Sequence, residues 1–249
     1  MKKLVLLFLL LVALVLFSHG QPAASSAGFK TGQNYYQPSG NRSVPPGTVV
    51  WSQLPDCEAN IWACQLDANT PFDARMADDF IFYNDPGQIG AVRWWIGWWN
   101  PPNYAAPASF NIYIYDEVSC FPGNVVAQWN IPLADAHEDN GCLISWPSRE
   151  YWAVLNPPFQ PAVNQHYWIV CQPVMNYPPQ TGAMMSNTQN LCNAKLYFPL
   201  LNFYWATLEE YDMAFELYAN VVIPVSGWAL LLGGVLIVLA VFFRYRKSW

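Results

Sequence analysis

Phe110-Asn111-Ile112-Tyr113-Ile114-Tyr115 places an apolar residue at every second position and a polar or amphipathic one between. A period of two is the signature of a strand that buries one face, because successive side chains leave a strand on opposite sides. Asp116 then leads to the turn residues Phe121-Pro122-Gly123-Asn124. Similar short runs recur at Asp79 to Tyr83, Ile89 to Trp99, Val125 to Ile131, Tyr151 to Leu155, His166 to Gln172 and Met213 to Tyr218. Twenty-one prolines interrupt the chain, and no stretch of the middle region carries an apolar stripe at helical spacing for three turns. These features predict an all-β fold, a single antiparallel β-sandwich of jelly-roll type, with strands near both ends of the domain pairing.

The 249 residues are 53% hydrophobic, 16% aromatic and 11% charged, which excludes a disordered tail or a collagen-like rod. All acidic residues lie between Asp56 and Glu216. There four cations (Arg75, Arg93, Arg149, Lys195) against seventeen acids leave a charge of −13. Such a field repels a phosphate backbone, so nucleic acid is excluded as a partner.

The two ends read as export and membrane signals. Met1-Lys2-Lys3 and the apolar run Leu4 to Phe17 have the layout of a signal peptide, with cleavage expected after Gly20. Residues 21–47 are rich in Pro, Ala, Ser and Gly and read as a linker, followed by a domain over 48–219 and a C-terminal segment over 220–249. Val221 to Phe243 is 23 residues long without a charge, enough for a transmembrane helix, and the cations Arg244, Arg246 and Lys247 behind it are expected on the cytoplasmic side. The domain then faces outward.

Ile223-Pro224-Val225-Ser226-Gly227-Trp228, the apolar segment and the basic end resemble the three-part C-terminal sorting signals of bacterial surface proteins, the PEP-CTERM and IPTL-CTERM group. The resemblance implies recognition by a sorting protease of exosortase type, with a cut near Pro224 to Gly227, and either membrane anchorage or release to the surface. Ala77-Asp78-Asp79-Phe80, Trp94-Trp95-Ile96-Gly97, His166-Tyr167-Trp168-Ile169 and Asp212-Met213-Ala214-Phe215 further resemble β-sandwich ectodomains of bacterial exported proteins that carry such tails. That second resemblance implies a fold and an address, and no reaction.

Cys57, Cys64, Cys120, Cys142, Cys171 and Cys192 all fall in the exported region, an even count that reads as disulfides in an oxidising compartment. Connectivity is open among about 15 pairings. Pairing of chain neighbours, Cys57 with Cys64, Cys120 with Cys142 and Cys171 with Cys192, is the simplest expectation. Zinc is disfavoured, since no Cys-x-x-Cys is present and His137 and His166 lack ligand spacing.

Three groups are candidate sites. Trp94, Trp95, Trp98 and Trp99 lie on one strand, so one pair fills the core and the other stands on the opposite face, about 13 Å apart along the strand. With Tyr104, that face is a candidate platform for glycans or proteins; the competing expectation is that the tryptophans fill the sandwich or lie under the Pro-rich loop at 101–104. Asp78, Asp79 and Asp212 are brought to one sheet end if their strands pair, as candidate calcium ligands or as carboxylates bonding turn N–H groups. No catalytic motif is present, although a carboxylate pair acting as a glycosidase needs none. The expectation is a noncatalytic surface or matrix protein without a resident cofactor. The alternatives are a secreted carbohydrate-active hydrolase and a purely structural surface protein.

Overall fold

The computed structural model describes residues 43–57, 61–142, 146–186, 188 and 190–220. The expected signal peptide, most of the expected linker and nearly all of the segment read as sorting signal and membrane helix therefore lie outside the described residues, and no helix among those described is long and apolar enough to cross a membrane.

The described chain is all-β. One sheet holds β1 (Thr48–Gln53), β2 (Ile61–Ala63), β5 (Ile89–Trp99), β8 (His137–Asn140), β9 (Ser148–Phe159), β11 (Gln180–Ser186), β14 (Asp212–Met213) and β15 (Phe215–Ala219). The other holds β3 (Gln65–Asp67), β4 (Phe72–Ile81), β6 (Ser109–Glu117), β7 (Pro122–Pro132), β10 (His166–Val174), β12 (Lys195–Phe198) and β13 (Phe203–Thr207). Pairing is antiparallel except for a short parallel contact of β10 with β3. The expected pairing of the domain's two ends is present: Thr48 faces Ala219 and Gln53 faces Phe215 across β1 and β15.

Periodicity explains which residues meet between the sheets. Phe110, Ile112 and Ile114 of β6 turn inward beside Ile169 and Cys171 of β10, and Val92, Trp94, Ile96 and Trp98 of β5 meet them from the other sheet. Trp94 is the hub, with Phe110 edge-on at 4.9 Å and Tyr151 stacked at 5.9 Å. Burial of aromatics in such tilted contacts is the main source of stability of this core.

Chain-neighbour cysteine pairing is corrected by the topology. The disulfides are Cys57–Cys142 and Cys120–Cys192, with Cα separations of 5.2 and 6.1 Å. The chain crosses repeatedly from one sheet to the other, so the loops that meet in space come from distant parts of the sequence, 85 and 72 residues apart. Cys64 and Cys171 are free and buried; the Cys64 thiol donates to the Cys171 carbonyl at 3.4 Å. Burial pushes the Cys64 thiol up to about 12 and raises Cys171 as well, so both behave as small apolar core groups.

Candidate binding face and buried acid cluster

The tryptophan platform on β5 is not exposed. Trp94, Trp95 and Trp98 are buried and Trp99 is partly so. Trp94 and Trp98 face the core, as the period of two requires. On the opposite side Trp95 lies under the segments joined by Cys57–Cys142, against Met184, Ala214, Leu54 and Ile61, and its indole N–H donates to Glu150 at 3.0 Å. Trp99 packs over Gly182, where an added Cβ would stand 2.7 Å from the indole ring. Tyr104, in the Pro-rich loop, caps Trp98 edge-on at 5.0 Å and donates to Glu138. Shielding by that loop and by the disulfide-tied segments thus prevails over display.

A partly exposed aromatic surface lies on the outer face of the other sheet. Strands β4, β6, β10, β12 and β13 turn their alternate residues outward, bringing together Asp73, Arg75, Asn111, Tyr113, Tyr115, Gln172, Tyr197 and Trp205. Arg75 is the centre. Its guanidinium lies over the rings of Tyr113 at 5.1 Å and Tyr197 at 5.3 Å, and it meets Asp73 through Nε at 3.0 Å and a terminal nitrogen at 2.7 Å. Its other terminal nitrogen donates to Tyr115 Oη at 3.2 Å. A planar guanidinium stacks and binds a carboxylate in two-pronged fashion at once, so this ion pair is an ordered part of the surface. Both partners keep a quarter or more of their side-chain area in solvent.

Trp205 extends the strip, tilted on Tyr197 at 5.3 Å and edge-on to Tyr115 at 5.5 Å. Its φ of 58° is left-handed, a costly conformation for a bulky side chain, held here by the bulged pairing of β13 with β12. Tyr204 beside it is two-thirds exposed. Gln172 donates to Asp73 and to the Ala74 carbonyl, both at 2.8 Å, while among the described residues no donor reaches its carbonyl oxygen. The sequence signal for this face was present in Tyr113 and Tyr115, the outward half of the alternation that placed β6. Arg75, Tyr197 and Trp205 carry no signal, because their neighbours come from strands far apart in the chain.

Asp78, Asp79 and Asp212 do converge at one end of the sandwich, but not as a calcium cage. Asp78 and Asp79 are consecutive on β4 and so point to opposite faces. Asp78 turns inward and accepts from Gln53 Nε2 at 2.8 Å, Met213 N–H at 2.6 Å and Asp79 N–H at 2.9 Å. Asp79 turns outward, with Oδ2 bound to His166 Nε2 at 2.5 Å and accepting from Cys192 N–H at 3.0 Å. Among the described residues, the ligand atoms that gather within 4.8 Å belong to Asp79, His166 and Cys192, and the Cys192 sulfur is committed to its disulfide. The carboxylates thus serve mainly as acceptors for backbone and side-chain N–H groups.

Burial raises Asp78 well above the usual carboxylate range, helped by the charges of Asp212 and Asp79. Burial likewise lifts Asp212 from 3.8 to about 6, against the opposing hydrogen bond from Asn190 N–H. A raised carboxyl means that the folded chain binds more protons than the unfolded one between these values. Its stabilising effect is present below about pH 4 and is lost as pH rises through 6. Asp212→Asn keeps the acceptor for Asn190 and removes the titration. The variant is expected to gain on the order of 2 kcal/mol over the parent at pH 8 relative to pH 4, read from urea melts at both pH values. Equal differences at the two pH values would contradict the assignment.

The glutamates that come together, Glu150 and Glu216, both bind Arg93, at 3.2 and 2.9 Å. Glu216 also accepts from Ser52 and Tyr218. With the guanidinium between them, they form a buried charge network and not a free acid–base pair. No protein-family model matches the chain, and no curated protein matches it.

Proposed function

We propose that this protein is an exported, noncatalytic surface or matrix module that binds glycans through the aromatic outer face of the seven-stranded sheet. The observation that carries the reading is Arg75, held between Tyr113 and Tyr197 and fixed by Asp73 on a face that remains partly open. Aromatic rings offer stacking area to sugar rings, and Asn111 and the hydroxyls of Tyr113 and Tyr197 border them with groups suited to sugar hydroxyls. The strongly acidic domain disfavours polyanions, so neutral polysaccharides are the expected class.

The two sheets are read as a jelly roll. Supporting this are the orders β1-β15-β5-β9 and β4-β10-β6-β7, in which successive long strands change sheet except at the β6–β7 hairpin. Two disulfides support an oxidising compartment and agree with a cleaved signal peptide over 1–20. The segment 220–249 is read as the sorting motif, membrane helix and cytoplasmic basic end, processed by an exosortase-type protease.

Affinity electrophoresis of the domain in gels containing soluble neutral polysaccharides tests the binding reading. Arg75→Ala and Tyr197→Ala are each expected to weaken retardation about tenfold. Retardation by no polysaccharide, or retardation unchanged in both variants, would remove the proposal. A polysaccharide that is cleaved would instead favour the hydrolase.

A further inference from the structure

We propose that Cys120, Cys192, His166 and Asp79 form a zinc site that opens when the Cys120–Cys192 disulfide is reduced, so that the bond and the ion are alternative occupants of one place. Ligand atoms of Asp79, His166 and Cys192 lie within 4.8 Å of one another, and Cys120 is joined to Cys192 with a Cα separation of 6.1 Å. Two thiolates, an imidazole and a carboxylate supply the four ligands of tetrahedral zinc, and the soft sulfurs disfavour calcium and magnesium. Among the described residues, Cys57–Cys142 has no comparable group of donors around it.

The seven-stranded sheet places these groups whether or not the bond is closed. Asp79 of β4 stands opposite Trp168 of β10, and His166 lies two residues along β10 on the same outer face, with its Nε2 at 2.5 Å from Asp79 Oδ2. Asp79 is fully buried, and among the described residues its second oxygen, Oδ1, meets no donor. A buried carboxylate oxygen left without a partner is costly, and a cation supplies the partner. Cys192 precedes β12, and its backbone N–H donates to Asp79 Oδ2 at 3.0 Å, which orients the carboxylate. Cys120 lies in the turn between β6 and β7, and the end of β6 runs beside β10, where Asp116 faces Tyr167. Each ligand thus comes from a different segment, which is why no Cys-x-x-Cys announces the site. Cys120 and Cys192 are only half-buried, and their neighbours Ser119, Phe121 and Leu191 are exposed, so a reductant reaches the bond.

The reductant is a dithiol. Its two sulfurs join as a disulfide, and the two electrons and two hydrogens they give up break the Cys120–Cys192 bond and leave each cysteine a thiol. Zinc then displaces both thiol protons to solvent, and the imidazole hydrogen between His166 Nε2 and Asp79 Oδ2 passes to Nδ1, which frees Nε2 for the ion. In an exported chain the disulfide is the resting form, and reducing surroundings open the site.

The test uses the purified protein and inorganic zinc alone. Zinc retained through gel filtration is expected to reach one ion per chain after reduction by a phosphine, and to be absent from the oxidised protein. Reduced His166→Asn is expected to bind at least about a hundredfold more weakly. A second measurement needs no variant to fold: glutathione disulfide is added to the reduced parent, and the bonds that return are mapped by mass spectrometry. Zinc is expected to slow the return of Cys120–Cys192 about tenfold, by occupying its thiolates, and to leave that of Cys57–Cys142 unchanged. Equal zinc in the two redox states, undiminished binding in His166→Asn, or the same effect on both bonds overturns the proposal. Polysaccharide retardation is read on the oxidised protein, so this proposal and the glycan reading fail separately.

Discussion

Replacing Cys57 and Cys142 together by serine is expected to lower the unfolding free energy by about 4 kcal/mol. The bond spans 85 residues, and closing so long a loop in the unfolded chain carries an entropy cost that the oxidised protein has already met, of order 4–5 kcal/mol in the chain-entropy model. The substitution also loosens the segments lying on Trp95, Met184 and Ala214, so the small outer cluster is expected to lose protection from hydrogen exchange first. Urea melts of the oxidised parent and the double variant provide the measurement. A difference under about 1 kcal/mol would mean that the bond constrains the unfolded chain far less than its span implies.

Trp94→Ala is expected to cost about 3–5 kcal/mol, the range for removing a large aromatic from a packed core. Trp94 is 1% exposed and touches Phe110 and Tyr151 from the two sheets, so its loss opens a cavity where the layers meet. Its indole N–H finds no acceptor among the described residues, so Trp94→Phe is expected to cost much less than Trp94→Ala. Set beside Tyr197→Ala, this separates the two aromatic groups. The core substitution shifts the melt and leaves polysaccharide retardation of the folded fraction unchanged, whereas the surface substitution does the reverse. Loss of retardation in folded Trp94→Phe would return β5 to the binding site.

Much of the fold was legible because alternation is a local property. The run predicted at Ile89 to Trp99 coincides with β5, and those at Phe110 to Tyr115 and His166 to Gln172 fall inside β6 and β10. Strands β11 and β12 left no such mark: Gln180–Ser186 is buried at every position, so its sequence lacks a polar face, and Lys195–Phe198 carries a buried lysine. The short β2 and β3 were unreadable for a different reason. Three residues each are too few to show a period, and they are strands only because one sheet hands the chain to the other there.

The candidate sites divide along the same line. The four tryptophans of β5 were visible as a group, yet whether an outward Trp95 meets water depends on the disulfide-tied segments folded over it. Asp78 and Asp212 come together although their strands do not pair, because β4 and β14 lie in opposite sheets and meet where the Met213 N–H bonds Asp78, and the opposite directions of Asp78 and Asp79 were set by their consecutive places on β4.

Composition and alternation by themselves determined an all-β chain and the acidic character of the domain, because these depend on side-chain period and charge along the chain. Disulfide partners, the burial of the tryptophans, the Arg75–Tyr113–Tyr197 face and the meeting of Asp78 with β14 were decided only in three dimensions. Each joins residues tens of positions apart, and which of them meet is set by the order in which strands enter two sheets. That order minimises exposed apolar surface over the whole core and is written in no single segment.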